Sequence, residues 1–279
     1  MISPTSVLLA VDASPYCTAA TRYASFFSER LRLPLRILHV LDSRAAGAPA
    51  AVDVGIDDLT LLTPQFDASL QKVLQERGEA VKSRTEVLLR SLGLEADVEL
   101  SAGLPAAEVL ARSTAGTLSV LGKEGETASV TDAAKLGTVA ERVVRRAEGA
   151  VLLVPETFAE PKRLLLGYDG SVEAEGALGY VVALAQALRL PVVALNAHED
   201  EAVGQTQLEA VRERAAREGL RLETEYRYGD PVEAILSATR EGDVVAIGAF
   251  GAGRLAEFFR GSTTGDIIRR ANVPLLLHS

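Results

Sequence analysis

The strongest constraint on this chain is that it is written twice. SVLLAVDASPYCTAATRYA (6–24) matches RLLLGYDGSVEAEGALGYV (163–181), and LRLPLRILHVLD (31–42) matches LRLPVVALNAHE (188–199), both displaced by 157 residues. GLEADVELSAGLPAAEVLARSTAGTLSVLGKEG (93–125) then matches GLRLETEYRYGDPVEAILSATREGDVVAIGAFG (219–251) at a displacement of 126. Self-similarity on this scale means two copies of one folding unit. The division expected is a first domain over 1–157 and a second over 160–279, with an insert of 31 residues at about 43–76 in the first. From Gly137, which matches Gly261, the displacement is 124, so one further loop of the first half is two residues longer.

Within each half, short apolar runs alternate with helical patterns. VLLAVD, LRILHVL, ADVELS, TLSVLG and AVLLVP are near-continuous Val, Leu and Ile runs, as parallel strands covered on both faces require. Leu208, Val211 and Ala215 keep helical spacing, and Gly93 and Gly219 stand where glycine ends a helix. In GDPVEA, Asp230 is placed as an N-cap, Pro231 at the first helical position and Glu233 as the partner of a capping box. Each half therefore predicts βαβαβαβαβ, a doubly wound, parallel, five-stranded α/β sheet with right-handed crossovers. The last strands, AVLLVP and VPLLLH, are apolar edges that invite pairing with each other. In the insert, SRAAGAPAAVDVG reads as a loop, while Phe66, Leu70, Val73 and Leu74 have the spacing of a helix that lengthens the second helix of the first half. The insert could cover the first cleft, pad the interface between the halves, or be a solvated excursion.

Composition removes several functions. Of 279 residues, 48% are apolar and 24% charged, the net charge is −9, and acidic groups outnumber basic ones in both halves. Nucleic acid and anionic membranes are therefore not expected partners. The single cysteine, Cys17, rules out an internal disulfide and suits a reducing compartment. The N-terminus lacks the basic lead of a signal peptide, and no apolar run approaches the ~20 residues of a membrane span, so a cytoplasmic location is expected. His39, His198 and His278 are scattered, and no nucleophile–base–acid set is visible. GTLSVLGKE imitates a P-loop, but the spacing from Gly116 to Gly122 is one residue too long and Glu124 stands where Ser or Thr is required.

In doubly wound sheets, ligands bind beyond the carboxyl ends of the strands, where strand order reverses. The loop after strand one, the end of strand two and the loop after strand four should meet there. In the second half these are YDGS (168–171), LNAHE (195–199) and GAFGAGRLAEFFRGST (248–263). Gly248 and Gly251 would let main chain approach a ligand, while Gly261, Ser262 and Thr263 open a helix whose N-terminus attracts anions. Asp169 is an acceptor for a ribose hydroxyl or an amino group. Against this stands the plainer reading of Asp-Gly as a turn and of a glycine-rich stretch as a connection.

LLLGYDGS, YGDPVEAIL, DVVAIGAFGAGRLAEFFRGST and RRANVPLLL resemble the universal stress protein family, and the doubled arrangement resembles its tandem members. The resemblance covers nearly the whole chain. Its most specific element is a nucleotide motif of glycine, two residues, glycine, nine residues, glycine, then Ser or Thr, which the second half matches without a gap. It implies a Rossmann-like fold of the adenine-nucleotide alpha-hydrolase type and a cytoplasmic stress-response protein, commonly dimeric, that binds ATP or ADP. Magnesium would enter only with the nucleotide. Asp169 and Ala197 would meet adenosine, and Gly248, Gly251, Gly261, Ser262 and Thr263 the ribose and phosphates. Arg254 and Arg260 are further phosphate candidates.

In the first half, Asp12, Val40, Gly122, Gly125, Gly137 and Thr138 stand at equivalent places, but eleven residues separate Gly125 from Gly137. That loop brings Glu124, Glu126 and Asp132 toward the phosphate seat, and Leu104 replaces the Asp cap. A weaker second site is expected there. Three functions remain open on sequence: a nucleotide-binding regulator with little turnover, a slow ATP-hydrolysing or adenylate-processing enzyme, and a nucleotide-independent scaffold.

Overall fold

Residues 3–42, 64–126, 138–249 and 263–278 are described by a computed structural model. In the first half, strands β1 (Ser6–Val11), β2 (Leu35–Asp42), β3 (Val98–Gly103), β4 (Thr117–Gly122) and β5 (Val151–Val154) alternate with helices. These are α1 (Tyr16–Leu31), α2 (Pro64–Ser91), α3 (Pro105–Arg112) and α4 (Thr138–Val144). The second half repeats the plan with β6 (Arg163–Gly167), β7 (Val192–His198), β8 (Glu223–Tyr228), β9 (Asp243–Gly248) and β10 (Leu275–His278). Its helices are α5 (Val172–Leu188), α6 (Glu201–Arg217), α7 (Pro231–Ala238) and α8 (Thr263–Arg270).

The strands form one ten-stranded sheet in the order β3-β2-β1-β4-β5-β10-β9-β6-β7-β8. All neighbours within a half are parallel. Among the described residues the single antiparallel contact is β5 against β10, with Leu276 opposite Leu152, Leu275 opposite Leu153 and Leu277 opposite Val151. Leu152 and Leu276 are the same position of the repeat, so a pseudo-two-fold axis passes through this pair. Each final strand is only four residues long and buried throughout. Pairing them removes two apolar edges that would otherwise be open to other chains.

Apolar side chains from both halves cover both faces of this sheet. One face packs Tyr23 and Phe27 of α1 and Tyr180 of α5 over Val7, Leu152, Leu164 and Leu276. The other packs Val143 of α4, Ile235 of α7 and Ile267 of α8 over Leu8, Leu153, Leu165 and Leu277. The two halves thus share their cores across the seam. Tyr23 and Phe158 stack at 4.7 Å there, and Tyr23 Oη accepts from Ala159 N at 3.1 Å. A buried ion pair joins β6 to β9, Arg163 to Asp243 at 2.5 and 2.8 Å.

Local chemistry explains the element ends. Gly93 and Gly219 follow α2 and α6 with φ of 81° and 78°, the left-handed conformation in which a side chain is costly. After α1 and α5 that conformation falls instead on Arg32 and Arg189, φ 55° and 57°, inside the repeated LRLP. Leu208, Val211 and Ala215 form the buried face of α6. Asp230 caps α7, its Oδ1 accepting from Glu233 N at 3.0 Å. The reciprocal bond of a capping box is not made: Glu233 turns its carboxylate to Arg270 at 2.6 Å. A charged guanidinium is a stronger partner than a backbone amide, and it lowers the Glu233 pKa. Leu104 leaves α3 without a side-chain cap.

Candidate functional site

The strand order reverses between β1 and β4 in one half and between β6 and β9 in the other. At the carboxyl ends of these strands lie two clefts. The second-half cleft, about 150 Å³, is lined by Asp169, Ala197, Gly248 and Thr263, together with Tyr168, Ser171 and Thr264. Four residues chosen from sequence on four separate segments therefore meet. Gly251, Gly261 and Ser262, and the candidates Arg254 and Arg260, lie outside the described residues.

Asp169 Oδ1 accepts from Ser171 N at 3.0 Å, so the aspartate does form the expected turn. Ser171 in turn caps α5, its hydroxyl accepting from Ala174 N at 3.1 Å. The turn fastens the loop and still leaves the carboxylate on the cleft. Beside it, Tyr168 donates from its hydroxyl to Glu175; burial first, then this bond, raises the phenol pKa. Leu195, Ile235 and Ile247 supply an apolar wall, and the exposed Thr263 begins α8 at the opposite side. The arrangement offers a flat apolar surface, a carboxylate acceptor and a helix N-terminus with hydroxyls.

The first motif glycine also meets a packing demand. A Cβ at Gly248 would stand 2.4 Å from the carbonyl carbon of Glu173 and 2.6 Å from Ala174 N. One at Gly122 would stand 2.5 Å from Tyr16 Cβ. In both halves this glycine lets the end of β9 or β4 pack against the start of the helix after the half's first strand. That packing requires glycine whether or not a ligand approaches. Gly125 differs, since among the described residues a Cβ there meets Asp12 Oδ2 alone, at 3.2 Å.

The first-half cleft, about 360 Å³, gathers Asp12, Val40, Gly122 and Gly125. Thr138 starts α4, and Gly137 and Asp132 lie outside the described residues. Asp12 Oδ1 accepts from Ser14 N at 3.0 Å, repeating the turn at Asp169, and Oδ2 accepts from Glu126 N at 3.2 Å. Leu74 and Arg77 of α2 also line it. The helical spacing read from Phe66 onward thus belongs to α2, which reaches this cleft; residues 43–63 lie outside the described ones. Lys123, next to Gly122, turns away. Its Nζ donates to the carbonyls of Arg269 at 3.2 Å and Ala271 at 2.7 Å, at the C-terminus of α8. Burial there lowers the ammonium pKa.

A larger cavity, about 700 Å³, lies at the seam by the amino ends of β9 and β10, lined by Phe158, Arg240, Gly242 and Asn272. Its volume exceeds that of either cleft, but it sits at the end of the second-half strands where such sheets do not place ligands. Cys17 is buried and free, and burial raises its pKa, which makes it a poor nucleophile. Among the described residues no group of His, Cys, Asp and Glu could hold a metal, and no helix is long and apolar enough to cross a membrane. Sequence reasoning missed Tyr168, Thr264 and His39 at the clefts. Tyr168 and His39 each adjoin a chosen residue, Asp169 and Val40, and that adjacency was the available signal.

Comparison with known proteins agrees with this geometry. The model of the universal stress protein family matches residues 5–155 and again 160–278. Universal stress protein Slr1230 of Synechocystis is 25% identical over 285 residues, covering 97% of this chain and 98% of that protein. A universal stress protein from Archaeoglobus fulgidus superposes with a TM-score of 0.74 at 21% identity, over 100% of this chain and 97% of the other. One from Pseudomonas aeruginosa reaches 0.59 at 16% identity, over 99% and 93%. With its doubled, doubly wound sheet and both halves matched by the family model, the chain belongs to the universal stress protein family.

Proposed function

We propose that this chain is a cytoplasmic regulatory protein of two domains, 1–157 and 160–279, that binds ATP or ADP in the second-half cleft with little turnover. The observation that carries the reading is the convergence of Asp169, Ala197, Gly248 and Thr263 on one cleft at the strand-order switch. The residues there suit an adenine nucleotide. Ile235, Ile247 and Ala197 provide the apolar bed for a base, and the Asp169 carboxylate accepts from a ribose hydroxyl. The N-terminus of α8 at Thr263 takes phosphate, and Gly251, Gly261 and Ser262, which lie outside the described residues, are the motif residues proposed to join it. Magnesium, where present, travels with the nucleotide.

Domain 1, through Asp12, Val40, Gly122, Gly125, Gly137 and Thr138, binds nucleotide at least about tenfold more weakly. A like charge a few ångströms from a phosphate costs on the order of 1 kcal/mol or more, and Glu124 and Glu126 both line that cleft. Calorimetry with ATP tests the assignment. One site per chain of micromolar affinity is expected, abolished by Gly261→Asp in a folded protein. Undiminished binding in that variant would exclude the second-half site, and no binding of ATP or ADP by the unmodified chain would favour a scaffold.

A further inference from the structure

We propose that Lys123, a residue of the first half, is a positioning residue for the second-half cleft: it holds α8 where that helix presents its amino end to phosphate. The proposal rests on the nucleotide reading above and deepens it, because it makes the phosphate seat of one half depend on a side chain of the other.

α8 is weak as a helix. It has eight residues, short of the about 12–15 at which an isolated helix becomes even marginal. Thr263, Thr264, Ile267 and Ile268 are β-branched, and Gly265 is a poor helix former. Its place is therefore set by what it touches. Ile267 and Ile268, 1% and 0% exposed, seat its middle on the sheet, with Ala271 buried just beyond. A short rod resting on one central patch can rock about it, so its direction depends on how its ends are held. Arg270 pairs with Glu233 of α7 at 2.6 Å, but both side chains are half or more exposed, and such pairs hold weakly.

A firmer hold comes across the seam. The amide of Lys123 donates to Val154 O at 3.0 Å, at the end of β5, so the base of the side chain is fixed to the sheet. Nζ donates to Ala271 O at 2.7 Å and to Arg269 O at 3.2 Å. Carbonyls at the end of a helix lack partners within it, and a cation is favoured there. The Lys123 side chain is half-buried, and an ammonium withdrawn from water needs these acceptors.

The opposite end of α8 is the phosphate seat. Thr263 and Thr264 of its first turn, and Ile267, line the second-half cleft. Eight residues at a rise of 1.5 Å set the two ends about 12 Å apart. That exceeds the ~8 Å over which charge acts at physiological salt. The effect of a charge on the helix dipole also fades within the turn it touches. Lys123 therefore serves the phosphates by placing the helix rather than by its own field. Asp169, Ala197, Ile235 and Ile247, which receive ribose and base, belong to other segments. Loosening α8 thus weakens phosphate binding and spares adenosine.

Calorimetry on the intact chain with ATP and with adenosine tests this. Lys123→Met should weaken ATP at the tight site about tenfold, while adenosine stays within about twofold of the parent. Lys123→Arg, which keeps charge and donors in a different shape, should restore ATP to within about threefold. Lys123→Gln gives the same reading as the methionine variant should that one fail to fold, as followed by thermal unfolding. Glu233→Gln, which removes the exposed pair, should change ATP affinity by less than about twofold. A parent chain that binds no ATP, or binds it no more tightly than adenosine, would sink the nucleotide reading and this proposal with it. With ATP binding present in the parent, the role of Lys123 alone is overturned by unchanged affinity in the methionine and glutamine variants, by equal losses for ATP and adenosine, or by no recovery with arginine.

Discussion

Replacing Gly248 by alanine separates the structural demand on the motif from its role toward a ligand. The backbone there is not left-handed, so the cost is steric. The added Cβ would lie 2.4 Å from Glu173 C, 2.6 Å from Ala174 N and 2.7 Å from Glu173 Cβ, all roughly 1 Å inside ordinary contact. Two of those atoms are backbone in the first turn of α5, and that turn is pinned by the Ser171 cap and the Asp169 turn. Neither side can yield by rotating a side chain. Overpacking of this kind costs about 1–3 kcal/mol, and the backbone contacts put Gly248→Ala near 3 kcal/mol, roughly 6–12 °C in Tm. Thermal and urea unfolding without nucleotide would measure it. Two controls fix the scale. Gly179→Ala in α5, with nothing within 4 Å of its Cβ, should stabilise by about 0.5–1 kcal/mol. Gly125→Ala, which among the described residues meets only the end of the Asp12 side chain, should change stability by less than about 0.5 kcal/mol. If Gly248→Ala unfolds within about 0.5 kcal/mol of the parent while losing ATP binding, the packing account is wrong and the glycine serves the ligand alone.

Asp230→Ala should cost about 1 kcal/mol through loss of the bond to Glu233 N, whereas Leu104→Asp, supplying the cap that α3 lacks, should gain about 0.5–1 kcal/mol; both are read from urea midpoints. Asp243→Ala strands the Arg163 guanidinium beside β9 and should cost about 3–5 kcal/mol, while Glu160→Gln, whose pair with Arg30 is exposed, should change stability by less than about 1 kcal/mol. His278 is buried with neither ring nitrogen bonded, and burial lowers its pKa. The unfolded imidazole protonates near pH 6.5 while the folded one stays neutral to lower pH. The unfolded state therefore binds the extra proton, and stability falls as pH drops below about 7. His278→Leu should flatten that part of the stability–pH curve, and an unchanged slope would locate the proton elsewhere.

Most of the framework was legible because it rests on local signals. TLSVLG coincides with β4, since a largely apolar run this short and bounded by glycine suits a strand covered on both faces, and the Gly93 and Gly219 positions followed from helix-end chemistry. The pairing of the last strands followed from the need to cover two apolar edges. The misreadings come from contacts distant in sequence. Glu233 was assigned a reciprocal cap because Arg270, 37 residues away, cannot be seen from a motif. The packing demand on Gly248, which stands beside its proposed role toward a ligand, was invisible because the first turn of α5 is 75 residues earlier in the chain. The sequence left the insert three roles, and the structure shows the helix it lengthens lining the first cleft with Leu74 and Val81.

The lysine at the seam gives the join a direction. Lys123 reaches from the loop of the first half to the last carbonyls of α8, yet the residue that repeats it, Ala249, has no ammonium to send back. Two copies of the second half laid edge to edge would keep the leucine pairing and lose this tether on both sides. Two copies of the first would carry it twice and add a buried charge at each end. The halves are thus no longer exchangeable pieces of a symmetric pair. Isolating the first half from the second would leave β5 with an open apolar edge and Lys123 with no carbonyls to receive it.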